Sequence, residues 1–259
     1  MIPQRTSSLP QKRIRQKNIL AVASGKGGVG KTWFSITLAH AFAKNGLKTL
    51  LFDGDLGLAN VDIQLGLRPE TDLEAYVTGG QLLRDIIIPY KEGNFDIISG
   101  RPGSSAIASL SNPAINAMRN DLSVIAQGYD KVIIDLSAGV EPAIRTLAAN
   151  AGSYIILVNA EPTSMTDAYA FIKLTHQDDP QATFKIVINY AESLAEGKQT
   201  FTKILQACKN FLKIEPVLVG IVRKDMKIQE SIRRQAPFLS SKNPTKACED
   251  MMALAKNLM

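Results

Sequence analysis

Histidine and cysteine are scarce in this sequence, with two of each among 259 residues. Cys208 and Cys248 lie far apart in helical patterns, and two cysteines with two histidines cannot build a Cys-rich cluster or a closed zinc site. Both cysteines read as small apolar packing residues. His40 and His176 fall on expected helices without a partner pattern, and no nucleophile, histidine and acid set is visible. Long apolar runs are also missing. No stretch of about 18 apolar residues occurs, and no apolar core follows the basic N-terminus, so neither a membrane-spanning helix nor a secretory signal is expected. The expected location is the cytoplasm.

Acidic residues are missing from residues 1–17, which carry Arg5, Lys12, Arg13, Arg15 and Lys17. The net charge of +6 is therefore concentrated there, because the rest of the chain holds 25 basic against 24 acidic residues. Residues 1–17 read as a basic, proline-containing flexible tail that could touch anionic lipid, nucleic acid or a partner protein, or merely solubilise the chain. Residues 18–259, with 45% hydrophobic residues overall, suit one α/β domain with a sizeable core.

What the sequence does contain begins at "SGKGGVGKTW", residues 24–33. Gly25 to Thr32 fits G-x-x-x-x-G-K-[ST], a loop whose backbone N–H groups cradle nucleotide phosphates. In such a loop Gly25, Gly27, Gly28, Val29 and Gly30 supply backbone, Lys31 reaches the β- and γ-phosphates, and the Thr32 hydroxyl binds Mg²⁺. The context is strand, loop, helix: "NILAVAS" (18–24) is a short apolar run, and Lys31 to Asn45 shows helical apolar spacing through Phe34, Leu38, Ala41 and Phe42. Phosphates would then sit at a helix N-terminus, where unpaired N–H groups favour anions.

Further apolar runs at Thr49–Asp53, Phe95–Ser99, Lys131–Asp135, Ser153–Val158, Phe184–Asn189 and Val217–Ile221 alternate with helical stretches. This is the pattern of an α/β fold with a mostly parallel twisted sheet flanked by helices on both faces. Ser164-x-x-Asp167 reads as a capping box and Asn243-Pro244 as an N-cap followed by Pro at N1. Ligands of such sheets lie beyond the carboxyl ends of the strands, and Asp53, Asp55 and Asp135 fall there. A carboxylate at that place can hold Mg²⁺ or orient a water toward a γ-phosphate.

"KGGVGKT" resembles the deviant Walker A motif of the MinD/ParA class of ATPases. The resemblance implies a P-loop NTPase fold of the SIMIBI, MinD-like kind, with ATP and Mg²⁺ as cofactors. It also implies a role for the extra lysine, Lys26, which in that class crosses a nucleotide-dependent dimer to the partner's phosphates. "DGDLGLANVDIQLGL" (53–67) is similar to the first switch of the class, making Asp55 the positioner of attacking water and Asp53 a supporting acid of the magnesium shell. "DLSAGVE" (135–141) is similar to the second switch, with Asp135 near Mg²⁺ and the Gly139 N–H free to approach the γ-phosphate. Asn189 and Arg223, in "KIVINY" and "VRKD", correspond by position to adenine-contacting loops.

Within the class, "AEPTSMTDAYAFIK", "NYAESLAEGKQTFTKILQACKNFL" and "SIRRQAPFLSSKNPTKA" resemble the flagellar-number regulators, the FlhG and FleN branch. That branch implies an ATP-dependent homodimer that slowly hydrolyses ATP, restrains flagellar assembly, and meets the GTPase FlhF, flagellar switch proteins or a transcription regulator. The other reading kept within the class is a division-site or nucleoid-binding DNA-segregation ATPase, for which the basic tail is the visible support. Trp33 departs from the small hydroxyl residue usual after Thr32, so either a contact to the α-phosphate is lost or the indole packs beside the nucleotide. The final helical stripe, Ala247, Met251, Leu254, Ala255 and Leu258, is expected to pack on the domain, since its polar face is not strongly basic. Peripheral attachment at the inner membrane or cell pole stays open.

Overall fold

The computed structural model describes residues 15–240 and 243–259. The tail read at residues 1–17 falls largely outside them. At its inner end, however, the first strand already begins at Gln16, and Arg15 is engaged, forming an ion pair with Asp179 at 2.5 Å.

The strands are β1 (Gln16–Ala23), β2 (Thr49–Gly54), β3 (Ile88–Tyr90), β4 (Phe95–Ile98), β5 (Lys131–Leu136), β6 (Ala151–Val158), β7 (Phe184–Ala191) and β8 (Val217–Arg223). They form one sheet in the order β3-β4-β2-β5-β1-β6-β7-β8, parallel throughout except where β3 runs antiparallel to β4 at the edge. β3 was not legible as a strand, because three residues with Pro89 at the centre carry no alternation and Pro is tolerated only where no ladder bond is needed.

The helices are α1 (Lys31–Lys44), α2 (Val61–Leu65), α3 (Leu73–Val77), α4 (Ser105–Ala108), α5 (Asn112–Ile125), α6 (Pro142–Leu147), α7 (Pro162–Asp178), α8 (Leu194–Ala207), α9 (Met226–Arg233) and α10 (Lys246–Asn257). None of the helices among the described residues is long and apolar enough to cross a membrane. Two expected caps are misplaced. α7 opens at Pro162 with Glu161 as N-cap, because proline is preorganised for the first helical position. Ser164 therefore lies inside the first turn, where its Oγ accepts the N–H of Asn159 at 3.2 Å. α10 is capped by Thr245, whose Oγ1 accepts from the Cys248 N–H, and Asn243-Pro244 lies just before it.

Both faces of the sheet are covered, which explains the continuous apolar runs. Alternate residues of β1 divide between two cores: Ile19 and Ala21 pack with Phe171, Ile134 and Met118 on one face, while Leu20 and Val22 pack with Phe34, Phe42 and Met251 on the other. α1 packs on the sheet with α10 beside it over β8, and nearly all of α1 is buried. The final helix packs its Ala247, Met251, Leu254, Ala255 and Leu258 stripe into this second core, as expected. Helix α1 is thus fixed as a rigid post behind the loop that precedes it.

Candidate nucleotide site at the carboxyl ends of the central strands

The loop from Ser24 to Gly30 leaves β1 at the centre of the sheet and enters α1. Its glycines are required for different reasons. Gly28 and Gly30 have φ of +79° and +87°, a left-handed conformation that disfavours side chains. At Gly25 the backbone of α7 is close: a Cβ there would lie 2.2 Å from the carbonyl carbon of Asp167. The N-cap of α1 is Gly30, with no side-chain cap and no acid in the first turn. The first N–H groups of the helix are therefore unanswered by protein side chains, as an anion site requires.

Around this loop the structure assembles Lys31, Thr32, Asp53, Asp55 and Asp135. Lys31 is 9% exposed. Burial lowers its pKa, and the charges of Asp135 and then Asp55 oppose that shift. Asp135, at the end of β5, accepts hydrogen bonds from Thr32 and from Ser35 Oγ, the latter at 2.9 Å. Burial raises its pKa to about 6 despite those donors and Lys31. Asp53 stands beside it in register across β2 and β5. Burial, followed by the Asp135 charge, pushes Asp53 well above the carboxylate range, although it accepts N–H bonds from Asp55, Asn60 and Val61 at 3.1–3.2 Å. Asp55 turns back on its own loop, its Oδ1 accepting from the N–H of Leu58 at 3.0 Å and of Gly57 at 3.3 Å.

This donor set fits a magnesium nucleotide. A hydroxyl and a buried carboxylate in contact, a second buried acid beside them and a lysine opposite are hard oxygen ligands and a phosphate counter-charge. Burial is what raises the Asp135 pKa, and the positive charge of a bound divalent ion would offset that desolvation.

The second lysine faces away from this cluster. Lys26 Nζ donates to Glu161 Oε2 at 2.5 Å and to Thr163 Oγ1 at 3.1 Å, at the start of α7. It is substantially exposed, as is Glu161. Next to this pair opens a cleft of about 730 Å³, whose walls include Gly28, Glu161, Tyr190, Lys224, Met226 and Gln229.

A family comparison decides the lineage of this arrangement. The CobQ/CobB/MinD/ParA nucleotide binding domain matches residues 20–244. The chain belongs to that family. It is a P-loop ATPase of the MinD/ParA class. It is similar to the antiactivator FleN of Pseudomonas aeruginosa, 33% identical over 93% of this chain and 85% of that protein. It is also similar to the flagellum site-determining protein YlxH of Helicobacter pylori, 26% identical over 83% of this chain and 73% of that protein. In fold it matches the septum site-determining protein MinD of Pyrococcus horikoshii complexed with Mg-ADP, with a TM-score of 0.78, 21% identity, and coverage of 92% and 94% of the two chains.

Several expected contacts of this MinD/ParA chain differ in the structure. The Trp33 indole does not line the loop: it is buried and packs edge-on against Phe238 at 5.2 Å, because an indole offered an apolar core behind α1 buries more surface there. Arg223 is engaged within the protein. Its guanidinium is paired with Asp250 of α10 at 2.7 and 2.8 Å, and its own N–H also donates to that carboxylate. The Gly139 N–H is not free, since it donates to the Ser24 carbonyl at 3.1 Å. Asn189 lies directly under the loop, where its Nδ2 donates to the Val29 carbonyl at 2.8 Å and its Oδ1 is buried with no partner.

Ser35 and the Glu161–Thr163 pair were missed in the sequence. Ser35 had a signal, since it follows Thr32 by three residues on one helix face. The Glu161–Thr163 pair had none, because its partner Lys26 is more than a hundred residues away.

Proposed function

We propose that this chain is an ATP-driven dimerisation switch that regulates flagellar number or placement, with a second copy of itself as its first partner. One observation carries the reading: the two loop lysines occupy opposite environments. Lys31 is buried against Asp135 and Asp55 and can serve only the phosphates of its own site. Lys26 is exposed and held by a surface pair. Such pairs contribute at most about 1 kcal/mol, so a neighbour's phosphate can readily displace Glu161.

In this reading Thr32 and Asp135 would hold Mg²⁺, with Asp53 supporting the shell, and the ion would supply positive charge to the phosphoryl oxygens. Lys31 holds the β- and γ-phosphates, and Asp55 gives up its bond to the Leu58 N–H to orient the attacking water. Lys26 then adds a cation from the neighbour to the same transferring group. Gly139 exchanges the Ser24 carbonyl for the γ-phosphate, which couples the second switch to nucleotide state.

The likeness to FleN and to the flagellum site-determining YlxH supports a flagellar output. The partners that follow are the FlhF GTPase, flagellar switch proteins or a transcription regulator, met by the ATP-bound dimer. The test is the solution mass of the Asp55→Ala protein with Mg·ATP and, separately, with Mg·ADP. A dimer with ATP and a monomer with ADP are expected. A monomer in both, with nucleotide bound, would reject the switch.

A further inference from the structure

Asp55 is engaged within its own loop, and turning it toward a water means breaking bonds it already makes. Its Oδ1 accepts from the N–H groups of Leu58 at 3.0 Å and Gly57 at 3.3 Å, so the carboxylate closes a turn on itself. Both ends of that loop are tied down. Asp53 accepts from the Asp55 N–H at one end and from the Asn60 and Val61 N–H groups at the other. Leu56 packs against the core, and Ala59 is buried so close to Gly100 that a Cβ there would lie 2.5 Å from the Ala59 Cβ. Gly57 and Leu58 are the part left to move.

Leu58 is held where its chemistry is least satisfied. Its side chain is 69% exposed, yet it stands on the wall of a cavity of about 310 Å³. The other walls include Ile107, Leu110, Ile115 and Ile144, which belong to or pack against the core on that face of the sheet. Ser137 and Ala138 line it too, so the cavity joins the two switch segments, residues 53–67 and 135–141. The Leu58 carbonyl accepts from the exposed Asn60 side chain. Moving the leucine from water into such a cavity favours the moved state about ten- to hundredfold, the range for burying one such side chain. Against it stand the two N–H bonds on Asp55, each of modest net strength. The two arrangements are nearly balanced, so a nucleotide can choose between them.

We propose that Leu58 is a positioning residue for Asp55: its side chain drops into the cavity between the switch segments as Asp55 releases the Gly57 and Leu58 N–H groups, and its burial keeps the carboxylate turned toward the attacking water. The inference rests on the reading of Asp55 as the residue that orients that water, and it names what holds Asp55 there. Once Leu58 is buried, the turn cannot reclose without returning an apolar side chain to water. Since residues 135–141 form part of the cavity, the second segment sets whether Leu58 fits.

The experiment is a steady-state phosphate-release assay on the wild type, Leu58→Ala, Leu58→Met, Asp55→Ala and the variant carrying both alanines. ATP affinity by calorimetry, solution mass in Mg·ATP and the melting temperature without nucleotide are measured beside it. Leu58→Ala is expected to lower kcat about ten- to hundredfold and to leave those other three quantities as in the wild type. Leu58→Met, apolar and of similar volume, should restore most of kcat. Because Leu58 acts through Asp55, the double variant should be no slower than Asp55→Ala alone. Wild-type kcat in Leu58→Ala overturns the proposal. A further loss in the double variant also overturns it, by giving Leu58 a role apart from Asp55, as does loss of the ATP-dependent dimer, by making Leu58 a contact with the neighbour. A fast Asp55→Ala protein rejects the reading of Asp55 itself, whereas a slow Asp55→Ala beside a fast Leu58→Ala removes only this inference.

Discussion

The crevice has two halves built in opposite ways. Its phosphate half comes from one uninterrupted loop and helix, residues 24–35, faced by acids from two neighbouring strands. Its other half, where the resemblance puts the base, is a cleft assembled from the segments that follow β6, β7 and β8 together with residues of α8 and α9. In the phosphate half Lys31, Ser35, Asp53 and Asp135 are buried, and Ser35 is bonded to Asp135, whereas the other half is open and holds Lys224 and Glu192 in a surface pair at 2.7 Å. Recognition of a phosphate chain needs a fixed array of N–H groups and so a rigid loop. Recognition of a base needs one flat wall, which several loops can supply.

The comparison breaks most completely at Lys31. Lys31→Ala is expected to weaken ATP and tripolyphosphate alike by on the order of a thousandfold or more, because it leaves Asp135 and Asp53 facing the phosphates unopposed. Titration calorimetry checks this, and retained affinity for either would refute the assignment of the loop. Asp55→Ala comes next. Its bonds stay within its own loop, so binding should persist while turnover falls about a hundred- to a thousandfold in a phosphate-release assay.

The rigid floor of the phosphate half gives a third expectation. His40, inside α1, is buried, and its pKa is pulled down to about 4 by that burial and then by Lys44. A base with a lowered folded-state pKa favours folding while neutral. Its contribution is therefore present above the unfolded value of about 6.5 and lost as pH falls toward 4, amounting to at most about 3 kcal/mol. Thermal melts from pH 7 to 4 should show this slope in the wild type and a shallower one in His40→Gln, and equal slopes would dismiss the claim. The smallest effect is assigned to Arg223. Arg223→Ala should destabilise the fold by about 1 kcal/mol, by leaving the half-buried Asp250 carboxylate without its guanidinium partner, and leave ATP affinity unchanged. A specific loss of ATP affinity would return Arg223 to the base half.

The two halves also differ in how far they were legible in sequence. The phosphate loop, its helix and the acids at the ends of β2 and β5 were readable because the chemistry demands contiguous glycines and a lysine, and because strand ends are marked by apolar runs. The sheet was readable for the same reason, except for β3 at its edge. The bulge that carries Tyr190 at the end of β7 was not, since a bulge is a mismatch between two strands and neither strand alone records it. The Asp250 partner of Arg223 was not legible either, because it lies on a later helix, 27 residues along the chain. Trp33 was left between two outcomes, and the aromatic partner that decided it, Phe238, lies in a distant segment.

The central claim is that Lys26 acts on the neighbouring subunit, and mixing two inactive variants tests it most directly. Lys26→Ala and Asp55→Ala proteins should each be nearly silent in ATP hydrolysis. In an equimolar mixture, a mixed dimer contains one site that has its own Asp55 and receives Lys26 from the other subunit. Activity should return to about a quarter of the wild-type value, since half of the dimers are mixed and each has one complete site. A mixture as silent as its components, with dimers present, would mean that Lys26 serves its own nucleotide and would contradict the account.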